Sequence, residues 1–106
     1  IPSGMPGLQT SFSLLANMVH QRVITPEEFV RLTATNAADL LGLTHKGRLE
    51  IGADADLVLA DFSQQWEIKD EDIVSKCGWT PYDGMNIHGV PTYTIVGGRV
   101  LYKRDP

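Results

Sequence analysis

The stretch that decides the fold is residues 46–61, which read K-G-R-L-E-I-G-A-D-A-D-L-V-L-A-D. Two glycines, Gly47 and Gly52, enclose a short alternating segment, and Ala55–Asp61 then places an apolar run between aspartates. A short apolar run with such boundaries is typical of a β-strand. Before this stretch the apolar residues recur at helical spacing, and after it they alternate or cluster between turn residues. The sequence therefore predicts a helical first part and a strand-rich second part.

Three short helices are predicted before residue 46. The first follows a Gly/Pro-rich loop and has Thr10 or Ser11 as its N-cap. The third, Ala37–Leu41, has Asn36 as its N-cap and Gly42 as its stop.

The second helix carries the clearest local signal in the chain, Thr25-Pro26-Glu27-Glu28. Thr25 can cap the helix, Pro26 suits the first helical position, and the Glu28 side chain can reach back to complete a capping box. The residues predicted to face inward from this helix are Phe29, Val30 and Leu32.

The strand-rich part ends in a predicted β-hairpin. Thr92–Val96 and Arg99–Tyr102 flank Gly97-Gly98, a pair suited to a two-residue turn. Trp66–Lys69 alternates and predicts a separate short strand. Cys77–Gly89 has no usable period and is predicted to be irregular.

Composition excludes several classes of protein. The chain has 106 residues, with 9 Lys+Arg and 13 Asp+Glu for a net charge of −4, and 42% of its residues are hydrophobic. An acidic chain lacks the basic surface that a nucleic-acid binder needs. Its single cysteine, Cys77, cannot form an internal disulfide, which favours a reducing compartment. No apolar run approaches the length of a membrane span. The start at Ile1-Pro2, in the middle of a loop motif, predicts that this is a fragment.

No local metal site can be recognised from the histidines, His20, His45 and His88. They lie 25 and 43 residues apart, outside any HxH or HExxH pattern. The expected role of His20 is a favourable contact with a helix C-terminus.

The remaining candidate groups do not form a complete active site either. The aspartates of residues 54–61 lack the alternating oxygen ligands and the glycine of a calcium loop, because Val58 and Leu59 occupy those places. The serines stand outside a GxSxG elbow, and Cys77 has no histidine near it in the sequence.

Two loops remain open to a functional interpretation. Ile1–Gly7 combines two glycines and two prolines ahead of a helix, so it can be rigid while its backbone groups stay free to meet a small polar ligand. An ordinary connection into the helix is an equally good interpretation. Thr80–Gly84 is a turn motif, for which a simple surface turn is favoured.

Together these motifs resemble the C-terminal portion of cyclic amidohydrolases, the group of allantoinases, dihydroorotases and hydantoinases/dihydropyrimidinases. The motifs that carry the resemblance, in chain order, are S-G-M-P-G-L-Q-T (Ser3–Thr10), T-N-A-A-D-L-L-G-L (Thr35–Leu43), the stretch 46–61, T-P-Y-D-G (Thr80–Gly84) and G-G-R-V-L-Y (Gly97–Tyr102). Dihydroorotases and hydantoinases usually carry Glu where this chain has Gln9. That glutamine, together with Thr35–Asp39, favours the allantoinases.

The resemblance implies an α/β parent protein, a TIM barrel with a small β-sandwich built from both chain ends. Residues 1–45 would supply the last barrel loop and the closing helices, and residues 46–106 the C-terminal strands of the sandwich. The fragment itself would be three short helices followed by sandwich strands and a C-terminal hairpin. The side chains expected in the sandwich core are Leu57, Val58, Leu59, Ile95, Val96 and Val100. Alone, the fragment would expose half a sandwich.

The family's chemistry implies two divalent metal ions, zinc in the favoured assignment, bridged by a carboxylated lysine and held by histidines and an aspartate. The metals acidify a bridging water and polarise the ring carbonyl, and the aspartate moves the proton. All of these ligands would lie upstream, so this fragment is expected to contain no catalytic or metal-binding residue. Its expected contribution is substrate binding by the loop Pro2, Ser3 and Gly4. This loop matches the hydantoinase I-P-N-G segment, whose backbone holds the ring amide, and Ser3 replaces the Asn.

For the whole protein the resemblance implies a cytoplasmic homo-oligomer, commonly a tetramer, that acts on a small cyclic amide and binds neither nucleic acid nor membrane. Opening of allantoin to allantoate is favoured, with dihydroorotate and hydantoin or dihydropyrimidine as competitors. The fragment alone is expected to be inactive and metal-free. The alternative is a non-catalytic scaffold or assembly protein of the same fold that has lost its metal ligands.

Overall fold

The computed structural model describes residues 4–104, in which a helical part precedes an antiparallel sheet. In chain order, the elements are α1 (Ser11–His20), α2 (Pro26–Val30), a π-helical turn (Arg31–Thr35), α3 (Asn36–Leu40), β1 (Leu57–Glu67), a 3₁₀ turn (Asp70–Asp72), β2 (Asn86–Val96) and β3 (Arg99–Lys103). The predicted order of helices and then strands is confirmed. No helix within residues 4–104 is long and apolar enough to cross a membrane.

The start of α2 confirms the predicted capping box. The Glu28 amide donates to Thr25 Oγ1 at 3.1 Å, and the Thr25 amide donates to Glu28 Oε1 at 3.2 Å. Thr10 precedes α1 as predicted, but its side chain makes no capping hydrogen bond. Its hydroxyl turns back to the carbonyl of Gly7 instead, at 3.4 Å.

The prediction that Asn36 caps a separate third helix is wrong. Asn36 has helical dihedral angles, φ −63° and ψ −40°, so α2, the π turn and α3 form one continuous helical run. The π turn lies where Gly47 packs on this run, and Thr35 donates to the Gly47 carbonyl at 2.6 Å. A cap signal in the sequence is therefore overridden by a tertiary contact. The predicted stop at Gly42 is confirmed, because Gly42 and Leu43 donate to the carbonyls of Asp39 and Ala38 in a Schellman motif.

The three strands form one antiparallel sheet in the order β1-β2-β3. The predicted hairpin is confirmed, with Val96 paired to Arg99 and positive φ angles of 57° and 79° at Gly97 and Gly98. Those angles are the type I′ geometry that matches the twist of the strands.

Two strand boundaries were predicted wrongly. β2 begins at Asn86, inside the segment predicted to be irregular, and β1 unites the two predicted strands into one of 11 residues. A bulge joins the two halves of β1, since the register passes from Asp61↔Val90 directly to Gln65↔His88. Asp61 Oδ1 holds the bulge by accepting from the amides of Ser63 (2.9 Å) and Gln64 (3.2 Å).

The core lies where α1 and α2 meet the sheet. Phe29, 5% exposed, makes edge-to-face contacts with Phe12 of α1 (centroids 5.1 Å apart) and Phe62 of the β1 bulge (5.6 Å). The other buried apolar side chains are Ala16, Ala38, Ile68, Ile87 and Val90.

Much of the remaining apolar surface is exposed. Val30 and Leu32 were predicted to face inward, but they are 49% and 57% exposed, and the buried side chains of the helical run are Phe29 and Ala38. Five of the six residues expected in the sandwich core are also exposed within residues 4–104, and Ile95 is half-buried. Of these residues, Leu57, Ile95 and Val100 are paired across the sheet and therefore share one face.

Candidate functional site

The loop before α1 contains the one predicted substrate-binding residue that the structure describes. Gly4 is exposed, and a Cβ there would meet no heavy atom within 4 Å. Pro2 and Ser3 lie outside the described residues. The loop ends in a turn in which the Gly7 carbonyl accepts from the amides of Thr10 (3.3 Å) and Ser11 (3.0 Å).

Gln9 ties this loop to the strand-rich part of the chain. Its Nε2 donates to the carbonyl of Asp72 at 2.9 Å, and its Oε1 accepts from the amide of Val74 at 2.9 Å. Both polar atoms of the side chain are thus engaged by backbone groups more than 60 residues away. The sequence singled out Gln9 only as a mark of subfamily, because a contact across such a distance leaves no local pattern.

The loop that receives Gln9 is itself cross-linked. Asp70 Oδ1 accepts from the amide of Thr80 at 2.7 Å, and the Asp70 amide donates to Asp83 Oδ1 at 2.8 Å. Thr80 is only 4% exposed. The Thr80–Gly84 motif is thus a turn, as predicted, and it also holds the 3₁₀ turn in place.

A groove of about 1400 Å³ lies between these two loops and one end of the sheet. Trp66 donates from Nε1 to the Gly89 carbonyl at 3.1 Å. The guanidinium carbon of Arg104 lies 5.9 Å from the centroid of the Trp66 ring. The Arg104 Nε atom is buried without a hydrogen-bond partner in the described part of the chain. The residues that line the groove include Gly4, Gln9, Val74, Cys77, Trp79 and Tyr102. The groove brings Gly4 and Cys77 to one surface, although the sequence treated them separately.

The charged residues of stretch 46–61 hold the chain together. Lys46 forms ion pairs with Asp54 (2.9 Å) and Asp56, and Asp56 Oδ1 accepts from the Gly97 amide of the hairpin turn at 2.8 Å. The hydrogen bonds from Lys46 and from the Gly97 amide lower the pKa of the Asp56 carboxyl. The hydrogen bonds to Asp56 and Asp54 raise the pKa of the Lys46 ammonium. Arg48 pairs with Asp39 of α3.

Two of the histidines meet in a way that the sequence did not predict. The rings of His20, the last residue of α1, and His88 of β2 stack with their centroids 3.8 Å apart and their planes 8° from parallel. The His88 amide also donates to Asn17 Oδ1 at 2.8 Å. Between residues 4 and 104, no group of three or more His, Cys, Asp or Glu side chains could hold a metal ion.

The described arrangement therefore offers a loop with open backbone groups and an aromatic groove. Residues 10–102 match the sequence profile of the Amidohydrolase family. This chain belongs to that family. The expected resemblance is confirmed at the family level.

Individual relatives show which members of the amidohydrolase family this chain is similar to. The chain is 39% identical over 104 residues to a dihydroorotase of Halobacterium salinarum, covering 98% of this chain and 24% of that protein. It is 35% identical over 103 residues to a dihydroorotase of Pyrococcus furiosus, covering 97% of this chain and 25% of that protein. The chain thus spans about a quarter of the length of these curated amidohydrolases.

Solved structures agree with the sequence relatives. The chain superposes on L-hydantoinase (dihydropyrimidinase) from Arthrobacter aurescens with a TM-score of 0.90 and 30% identity, covering 97% of this chain and 23% of that one. For D-hydantoinase (dihydropyrimidinase) from a Thermus species the TM-score is 0.89 and the identity 30%, covering 97% of this chain and 23% of that one. The chain is therefore a dihydroorotase- and hydantoinase-like amidohydrolase segment. These relatives do not support the allantoinase assignment that Gln9 favoured.

Proposed function

We propose that this chain is the C-terminal part of a metal-dependent hydrolase that opens a cyclic amide ring. The observation that carries the proposal is similarity along almost the whole chain, in sequence to dihydroorotases and in structure to hydantoinases. Both groups are cyclic amidohydrolases, which hydrolyse a C–N bond of a cyclic amide.

The role of this chain in that reaction is to bind substrate and to support the barrel. Backbone groups of Pro2, Ser3 and Gly4 hold the ring amide of the substrate. The open space around Gly4 supports this assignment, because a ligand can approach the backbone there. Ser3 contributes through its backbone, so its side chain is replaceable.

The rest of the protein supplies the reactive centre. As the family resemblance implies, two divalent ions, zinc in the favoured assignment, are held by residues elsewhere in the protein, with a carboxylated lysine between them. Residues 1–45 pack on the barrel, and residues 46–106 complete the sandwich. Leu57 and Val100 pair with Ile95 from either side and are 36% and 57% exposed, and this apolar face supports a missing facing sheet. The whole enzyme is a cytoplasmic homo-oligomer, a tetramer in the favoured arrangement.

Dihydroorotate is the first substrate to test, because the curated relatives named above are dihydroorotases. Hydantoin and dihydrouracil follow from the structural relatives. Allantoin stays on the panel because of Gln9 and Thr35–Asp39.

The deciding experiment is an assay of the full-length, zinc-loaded protein against allantoin, dihydroorotate, hydantoin and dihydrouracil side by side. Turnover of one ring well above the others identifies both the class of reaction and the substrate. Absence of turnover with all four, together with failure to retain metal, would instead support the non-catalytic scaffold.

The loop assignment has its own test. Ser3→Ala keeps every backbone group and should leave KM unchanged, whereas Ser3→Pro removes the backbone N–H and should raise KM. Leu8→Ala, at a side chain that is 96% exposed in the same loop, is the matched control. A rise in KM with Ser3→Ala would show that the side chain, not the backbone, contacts the substrate.

A further inference from the structure

We infer that Gln9 is a positioning residue that fixes the substrate-binding loop on the backbone of residues 72–74. The inference rests on the proposed function, because it takes the loop around Gly4 as the substrate contact. It adds a residue that lies outside that contact and controls its placement.

The loop has few other attachments among the described residues. The Thr10 and Ser11 hydroxyls reach only the carbonyls of Gly7 and Leu8, within the same segment. A Cβ at Gly4 or Gly7 would meet no heavy atom within 4 Å, so close packing does not hold the loop at these two residues, and only Thr10 at its end is buried. In the described structure, the two Gln9 hydrogen bonds are those that join residues 4–10 to the strand-rich part.

The receiving backbone is fixed. The amides of Asp72 and Ile73 donate to the carbonyls of Lys69 and Asp70, each at 3.1 Å. Asp70 is in turn held by Thr80 and Asp83. Because the Gln9 side chain is bound to this rigid turn, it also restrains the substrate-binding loop.

In this chain the neutral amide of Gln9 matches both backbone partners of the anchor. The carbonyl of Asp72 needs a donor and the amide of Val74 needs an acceptor, and a glutamine offers both on one side chain. An ionised glutamate is acceptor-only, so it would satisfy Val74 and leave the Asp72 carbonyl facing a negative charge. A protonated glutamate recovers one donor and one acceptor. In a Q9E variant the anchor would therefore depend on pH, whereas in the natural chain it does not.

The test uses the full-length protein and the ring that it hydrolyses fastest. With Gln9→Met, we expect KM to rise about tenfold with kcat little changed, because the bound loop must now be ordered at the cost of substrate binding. With Gln9→Glu, KM should be raised at pH 8 and should return towards the natural value only as the pH approaches the ordinary glutamate pKa of about 4.3. Gln21→Met and Gln21→Glu, at the exposed residue after α1, are the matched controls and should change neither parameter.

A second readout does not depend on activity. Exchange of the Val74 amide hydrogen should be at least tenfold faster in Gln9→Met than in the natural protein and unchanged in Gln21→Met. If the Val74 amide exchanged no faster in Gln9→Met, or if that variant were active with an unchanged KM, the inference about Gln9 would be overturned. The proposed function would not be affected. A natural protein that hydrolyses none of the four rings would overturn the proposed function, and the substrate role of Gln9 with it.

Discussion

Gly89 of β2 lies so close to Ala16 of α1 that a β-carbon at residue 89 would be 2.5 Å from the Cβ of Ala16. Gly89 also has a φ of +122°, which side chains rarely adopt. Ala16 is completely buried. This contact sets how closely the first helix approaches the sheet, and through the helix it sets where the preceding loop ends.

Gly89→Ala should lower the free energy of unfolding by about 3 kcal/mol, since it combines backbone strain with a clash in the core. The loss is measured from urea unfolding of the full-length protein. Gly52→Ala is the matched control, because Gly52 has a φ of +93° with no heavy atom within 4 Å of its Cβ position. It should cost only about 1 kcal/mol. Equal losses at the two positions would show that backbone conformation, and not packing on Ala16, makes residue 89 a glycine.

Trp66→Phe should destabilise the protein by about 1 kcal/mol, because the Gly89 carbonyl would lose the indole N–H that lies 3.1 Å away. The control is Trp79→Phe, at a half-buried tryptophan on the same groove whose indole N–H makes no hydrogen bond within the described residues. Unfolding followed by circular dichroism compares the two variants. A larger loss with Trp79→Phe would mean that the Trp66 hydrogen bond contributes little.

The Asp56 carboxyl should contribute a pH-dependent part of the stability. Its pKa is lowered in the folded state, so the contribution is present above its ordinary pKa of 3.8 and disappears as the pH falls through the folded value. Lys46 has the opposite sign, since its pKa is raised, and its contribution is lost only as the pH rises beyond its ordinary pKa of 10.5. The pair is therefore fully effective between about pH 5 and pH 9.

The corresponding measurement is the unfolding midpoint of the natural protein and of Asp56→Asn between pH 7 and pH 2.5. Asparagine can still accept from the Gly97 amide, so the variant isolates the ion pair with Lys46. We expect the two midpoints to differ most near neutral pH and to converge in acid. A difference that stays constant with pH would contradict the assignment.

Asp61→Ala should loosen the bulge of β1, because one carboxylate oxygen accepts three hydrogen bonds there, from the Ser63 amide, the Ser63 hydroxyl and the Gln64 amide. These hydrogen bonds lower the pKa of the Asp61 carboxyl, and the bond from the Ser63 hydroxyl has the largest effect. Asp61→Asn keeps an acceptor at the same place and should be the milder change. The readout is the NMR contact between Phe62 and Phe29, which should weaken in Asp61→Ala and persist in Asp61→Asn.

The 106-residue chain alone should retain no metal in stoichiometric amount and should hydrolyse none of the four rings. The physical reason is that the proposed ligands and reactive groups belong to the rest of the protein. Metal analysis after dialysis and the same four assays test this expectation. Tightly bound zinc in the isolated chain would contradict it.

Residues whose partners are close in the chain were well predicted from sequence. The Thr25–Glu28 capping box, the stop at Gly42 and the Gly97-Gly98 turn each depend on hydrogen bonds that span a few residues. Such bonds impose a residue type at a fixed offset, and a fixed offset is visible in one sequence. The family resemblance came from motifs of the same local kind.

The sequence by itself thus determined the helix-then-strand order, the ends of several elements and the family. Only the tertiary structure decided that Asn36 continues a helix, that both halves of β1 pair with β2 across the bulge, and that Gln9 reaches residues 72–74. It also decided that His20 stacks on His88. The physical reason is that these outcomes depend on contacts between segments far apart in the chain, and their energies override local propensity without leaving a periodic trace in the residues between them.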